Sequence, residues 1–86
     1  MTDSDTLVFY YREGCHLCEE LASLLHRGWP CVFEQLRWQD VDRDSHWRDL
    51  YGARIPVLAR GGRVLCELRP TPGCLQEHFG PPDIPV

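Results

Sequence analysis

The residues that most constrain this chain are Cys15 and Cys18, because the periodicity of the sequence changes where they stand. Before them, Leu7-Val-Phe-Tyr-Tyr11 is a run of aromatic and branched residues closed by Arg12-Glu-Gly14, the pattern of a buried strand ending in a turn. After them, Leu17, Leu21, Leu24 and Leu25 recur at three- and four-residue steps, which makes one apolar helical stripe. Gly28 and Pro30 stop that helix. The cysteines therefore lie where a strand hands over to a helix, and the helix begins at or just after Cys15.

The rest of the chain supplies a partner for each of these elements. Val32 to Trp38 alternates, with Val32, Leu36 and Trp38 on one side and Gln35 and Arg37 on the other, and is expected to be a half-buried strand. Asp40-Val-Asp42 reads as its solvated end, and Asp44 or Ser45 is placed to cap a short helix through Trp47, Leu50 and Tyr51 that ends at Gly52. Ile55-Pro-Val-Leu-Ala59, the turn Gly61-Gly62 and Arg63-Val-Leu-Cys-Glu67 form a hairpin signature. Thr71-Pro72 has the form of an N-cap with Pro at the first helical position, opening a last helix from Gly73 to Phe79, and residues 80–86 form a tail. The order is βαβαββα. Its first βαβ unit requires parallel strands, and the hairpin adds an antiparallel pair to the same sheet. The expected fold class is α/β, a four-stranded mixed sheet flanked by helices.

At 86 residues the chain has enough surface to bury for one core and too little for two, so residues 1–86 are expected to form a single domain. The net charge of -4 argues against nucleic acid or an anionic membrane as partner, since both call for a basic face. Met1 to Thr6 is polar and acidic, without the basic and apolar regions of an export signal, so a cytoplasmic location is expected. Thiols are kept reduced there, and five cysteines, an odd number, do not suggest a disulfide framework. A CxxC pair then points to redox chemistry or metal binding.

The spacing bears on that choice. Residues three apart on a helix have Cβ atoms roughly 5–6 Å apart, close enough for an S–S bond after local adjustment. A loop that short restrains the unfolded chain little, so a switch explains the pair better than a staple does. The first helical turn also carries unpaired N–H groups and roughly half a positive charge. A helix N-terminus can lower a cysteine's pKa from about 8.5 into a range of about 3.5–7.5, so a downward shift, of no stated size, is expected at Cys15, which makes it the nucleophile and Cys18 the resolving thiol. Arg12 and a protonated His16 act in the same direction, while Glu13, Glu19 and Glu20 oppose it.

A structural zinc site needs four ligands, and no second pair at this spacing is present. Cys31, Cys66 and Cys74 are scattered and read as core or surface thiols. His26, His46 and His78 receive no role, and Trp29, Trp38 and Trp47 read as packing residues. No metal ligand is assigned, although a cluster shared between two chains is compatible with the sequence.

Tyr10-Tyr-Arg-Glu-Gly-Cys-His-Leu-Cys18, Asp40-Val-Asp42 and Tyr51-Gly-Ala-Arg-Ile-Pro-Val57 together resemble the small glutaredoxin-like proteins of bacteria and, more distantly, the glutaredoxins, over about residues 6 to 79. The resemblance implies a thioredoxin-like fold and a thiol-disulfide oxidoreductase using Cys15 and Cys18. It further implies a cis Pro56, with the backbone of Ile55 offered to a bound thiol or peptide, and Arg12 facing a glutathione carboxylate. Substrate contacts are thus expected from Arg12, His16, Ile55 and Pro56. The implied partners are protein or glutathione disulfides, with glutathione as a thiol co-substrate, no bound cofactor, and a monomeric chain. Two departures stand out: His16 and Leu17 replace the usual Pro and aromatic, and Cys66-Glu-Leu-Arg-Pro-Thr71 replaces the motif that holds the other end of glutathione. The alternatives are a binding or regulatory module on the same fold and a metal or iron-sulfur carrier.

Overall fold

The computed structural model describes residues 6–69 and 71–84. Most of the acidic N-terminal stretch, from which a cytoplasmic location was expected, lies outside these residues. The elements are β1 (Leu7–Tyr11), α1 (His16–Gly28), α2 (Pro30–Gln35), β2 (Arg37–Asp40), a single 3-10 turn (Val41–Arg43), α3 (Ser45–Tyr51), β3 (Val57–Arg60), β4 (Arg63–Glu67) and α4 (Pro72–Phe79). The strands form one mixed sheet in the order β2-β1-β3-β4. β1 runs parallel to β2 and antiparallel to β3, and β3 and β4 are the antiparallel hairpin. The expected α/β class and its four-stranded mixed sheet are present.

Strand alternation divides the core in two. Leu7 and Phe9 of β1 join Leu58, Cys66 and the α1 stripe of Cys18, Leu21, Leu24 and Leu25, with Leu75 of α4 closing the layer. On the other face Val57 and Ala59 meet Val41 and Tyr51, and Tyr10 stacks on Tyr51 at 4.2 Å between ring centroids. Burying a large aliphatic side chain contributes roughly 1.5–3 kcal/mol, so the larger layer, with α1 at its centre, dominates stability. Because α1 is fixed by that layer, its N-terminus is a rigid platform.

One expected element is corrected. The strand foreseen from Val32 to Trp38 is a short helix, α2, followed by a strand that begins only at Arg37. Pro30 opens α2 at the position where a missing N–H costs nothing and the fixed φ suits a helix. The buried Trp29 anchors the reversal, its indole Nε1–H donating to the Gly80 carbonyl at 2.9 Å. The tail is also held here, since the Asp83 N–H donates to the Gly28 carbonyl at 2.7 Å. Among the described residues, no helix is long and apolar enough to cross a membrane.

Candidate redox site

Four residues turn β1 into α1. The Cys15 N–H donates to the Arg12 carbonyl at 3.2 Å, and Gly14, third in the turn, has φ +77°. A type II turn demands a positive φ at that place, and glycine adopts it without a steric penalty. A Cβ added there would meet nothing within 4 Å, so glycine serves the backbone conformation and does not make room for a neighbour.

Cys15 is then the N-cap of α1, in extended backbone conformation, and its Sγ accepts the Cys18 N–H at 3.1 Å. Serine, threonine or aspartate usually holds this place, because the first helical turn needs an acceptor. Here a sulfur fills it, and the same N–H groups that cap the helix stabilise negative charge on that sulfur. Cys15 and Cys18 are joined as a disulfide, with Cα atoms 5.2 Å apart. Cys18 is buried at 3% exposure, while Cys15 is only half-buried. The outer sulfur can therefore be reached and the inner one is shielded.

The other expected residues gather at the same end of the sheet to differing degrees. Tyr10 pairs with Val57, so the next step along the antiparallel ladder sets Pro56 opposite Tyr11, at the β1 end that leads into the cysteine turn. The Ile55–Pro56 bond is cis. The segment before it is tied down. Arg54 donates from Nε and Nη2 to the two Glu67 carboxylate oxygens at 2.8 and 2.9 Å, and the Leu68 N–H meets the carbonyls of Arg54 and Pro56 at 3.1 and 3.0 Å.

Arg12 is already engaged, donating from Nε to Asp42 Oδ2 at 2.9 Å. That hydrogen bond holds the Asp42 carboxyl below its ordinary range, with the nearby positive charges of Arg12 and Arg48 acting in the same direction. A carboxylate-bearing ligand at Arg12 shares the guanidinium with Asp42, which already takes its Nε–H. Asp40, the other acid of this segment, caps the 3-10 turn by accepting the Asp42 N–H at 2.9 Å. His16 points along α1, its Nε2 2.9 Å from Glu20 Oε2, and its side chain is 84% exposed.

A cavity of about 330 Å³ opens beside Cys18 between Phe9, Tyr11, Arg12, Ala22 and Trp38. Trp38, 44% exposed, stands edge-on to Phe9 and Tyr11 at 4.7 and 5.5 Å between centroids. The packing role expected of Trp38 thus accounts for only part of its surface; the rest is a cavity wall. A larger cavity of about 460 Å³ lies on the opposite face near Gly61 and Gly62, and among its described lining residues there is no cysteine or histidine. Position beside the Cys15–Cys18 pair, and not size, makes the first cavity the candidate site.

A model of the glutaredoxin-like domain (DUF836) matches residues 6–79. The chain belongs to that family. Among solved structures, the glutaredoxin-like chain is similar to protein Ne2328 from Nitrosomonas europaea, determined by solution NMR. The two share 32% identity with a TM-score of 0.61, over 91% of this chain and 94% of that one. No curated protein matches it.

One arrangement has no signal in the sequence. Cys66 and Cys74, scattered in the sequence, are not separate thiols but are joined as a second disulfide between β4 and α4, with Cα atoms 6.3 Å apart. Cys31 is exposed and free. A separation of eight residues, with a strand end and two prolines between the cysteines, gives no periodic signal of their proximity.

Proposed function

We propose that this glutaredoxin-like protein is a thiol-disulfide oxidoreductase, and the observation that carries the reading is Cys15 acting as the N-cap of α1 with its sulfur on the Cys18 N–H. In the reduced protein the Cys15 thiolate attacks one sulfur of a substrate disulfide, forming a mixed disulfide and expelling the other sulfur as a thiolate. Cys18, deprotonated in turn, attacks the Cys15 sulfur, releases the second substrate thiolate and closes the Cys15–Cys18 bond. The substrate gains two electrons and the protein loses two, which an external thiol later restores. The shielding of Cys18 delays its attack until the substrate is attached.

Substrate selection falls to the rim. An extended peptide lies against the Ile55 backbone next to Pro56, in the manner of an added strand, with His16 at its solvent side. An apolar side chain beside the reacting sulfur enters the cavity walled by Tyr11 and Trp38. Glutathione is a poorer donor than a dithiol protein, because Arg12 is paired to Asp42 and the usual anchor for its far end is replaced at Cys66 to Thr71.

The test is turnover of a generic disulfide with glutathione and with a dithiol protein as alternative reductants. Cys15→Ser is expected to reduce turnover to background, and Cys18→Ser to accumulate a mixed disulfide visible by mass. Undiminished turnover in Cys15→Ser would overturn the assignment.

A further inference from the structure

The second cysteine pair has a third member. Cys74 and His78 are four residues apart on α4 and share one helix face, and Cys66 on β4 meets them from beneath. One ligand atom from each of the three lies within 4.8 Å of the others.

A β-bulge creates this meeting. Ala59 pairs with Val64 and Leu58 with Cys66, so Leu65 is the extra residue of β4. Strict alternation from Val64, which packs on the α3 face, would carry Cys66 to that same face. The bulge turns it to the α4 face instead, where it is buried with Leu58 and Leu75.

The surroundings of Cys74 differ from those of Cys15. Its own N–H is taken by the Thr71 hydroxyl at 3.1 Å, and its sulfur lies 3.4 Å from the Leu65 carbonyl oxygen. A carbonyl opposes a bare thiolate and favours a cation beside it. Two thiolates and an imidazole are the donor set of a borderline-soft divalent ion.

We propose that Cys66, Cys74 and His78 form a redox-gated site for one Zn²⁺. In the disulfide form the sulfurs are bonded to each other and the site is closed. A dithiol reductant delivers two electrons and two protons to the S–S bond, is itself oxidised to a disulfide, and leaves two thiols. Zn²⁺ displaces both thiol protons and takes the lone pair of neutral His78, with its fourth position left to water or an incoming ligand. Tetrahedral ligands at Zn–S ~2.3 Å and Zn–N ~2.0–2.1 Å lie roughly 3.5–3.8 Å from one another, so the two sulfurs separate as the bond opens and the His78 nitrogen draws in from within 4.8 Å. The metal then replaces the disulfide as the tie between β4 and α4.

The full chain carrying Cys15→Ser, Cys18→Ala and Cys31→Ser leaves Cys66 and Cys74 as its only thiols. Reduced with a phosphine and titrated with Co²⁺, it is expected to bind one ion per chain with thiolate-to-cobalt charge-transfer absorption, which added Zn²⁺ abolishes. The same chain with Cys66–Cys74 oxidised is expected to bind none. His78→Ala and His78→Gln should each weaken binding by roughly tenfold or more, since even partners of metal ligands matter by ~10–100-fold. In the reduced wild-type chain, Zn²⁺ should slow alkylation of Cys74 and leave Cys31 unaffected. No charge-transfer band, affinity in both His78 variants equal to that of the chain retaining His78, half an ion per chain, or Cys74 alkylation indifferent to Zn²⁺ would each overturn the proposal.

Discussion

The two cysteine pairs use one device with opposite polarity. In each, a more exposed cysteine sits in the first turn or at the cap of a helix and a buried cysteine lies below it. At α1 the cysteine sulfur itself is the cap and receives an N–H. At α4 the Thr71 hydroxyl is the cap, and the cysteine sulfur is left against a carbonyl oxygen. Being at a helix N-terminus does not by itself make a cysteine reactive. What matters is whether the sulfur or another group receives the free donors of that turn. This difference is what supports the proposal that one pair attacks and the other holds.

The largest expected difference is in reactivity. In the fully reduced protein at mildly acidic pH, iodoacetamide should label Cys15 roughly tenfold or more faster than Cys74, because the Cys15 sulfur receives a helix N–H while the Cys74 sulfur faces a carbonyl oxygen. Residue-resolved mass spectrometry over time gives both rates, and equal rates would break the comparison.

Next in size is an effect on the second pair alone. Leu75 is fully buried beside Cys74 and locks α4 to the sheet, so Leu75→Ala should cost about 2–5 kcal/mol in denaturant unfolding. In the reduced variant Cys74 alkylation should accelerate much more than that of Cys15, since α1 shares its layer with Leu7, Phe9 and Leu58 as well as with Leu75. A parallel change at both cysteines would mean that the two sites are not independent.

Capping gives a smaller effect and sharpens the contrast. Thr71→Ala should destabilise the protein by about 1 kcal/mol and Thr71→Ser by much less, because the hydroxyl that accepts the Cys74 N–H is lost only in the first. Thermal unfolding of the two variants, both in the oxidised state, distinguishes them. Equal losses would transfer the effect from the cap to packing of the threonine methyl.

The smallest expected effect concerns the strap that joins the Pro56 segment to β4. The Arg54 hydrogen bond holds the Glu67 carboxyl below its ordinary range, against the opposing effect of partial desolvation. A carboxyl whose pKa is lowered on folding contributes stability that is complete above its unfolded pKa and is lost as pH falls through the lower folded value. Arg54→Met should therefore move the NMR titration midpoint of Glu67 upward and remove a slight acid-side pH dependence of stability. An unmoved midpoint would show that the forked pair is not held in solution.

Much of this molecule is legible as sequence. The switch from a strand run to a helical stripe at Cys15, the Asp44 and Thr71 caps, and the Gly61-Gly62 turn depend on local periodicity and single-residue backbone preferences, and each element stands where those signals put it. The exception among the elements, α2, has branched and aromatic residues whose local preference for a strand gave way to Pro30 and to the anchoring of Trp29 against Gly80. The engagement of Arg12 by Asp42 could not be read in advance, because the partners are 30 residues apart and meet only when β2 lies beside β1.

The first cysteine pair follows from local spacing, since Cys15 and Cys18 are neighbours on any helix that starts where this one does. The second depends on the folded sheet. Period-two alternation along Arg63 to Glu67 sends Cys66 to the wrong face, and the single extra residue that reverses it is a feature of how β4 registers against β3. Register is settled by two strands together, so neither strand's own residues carry the information that brings Cys66 to Cys74.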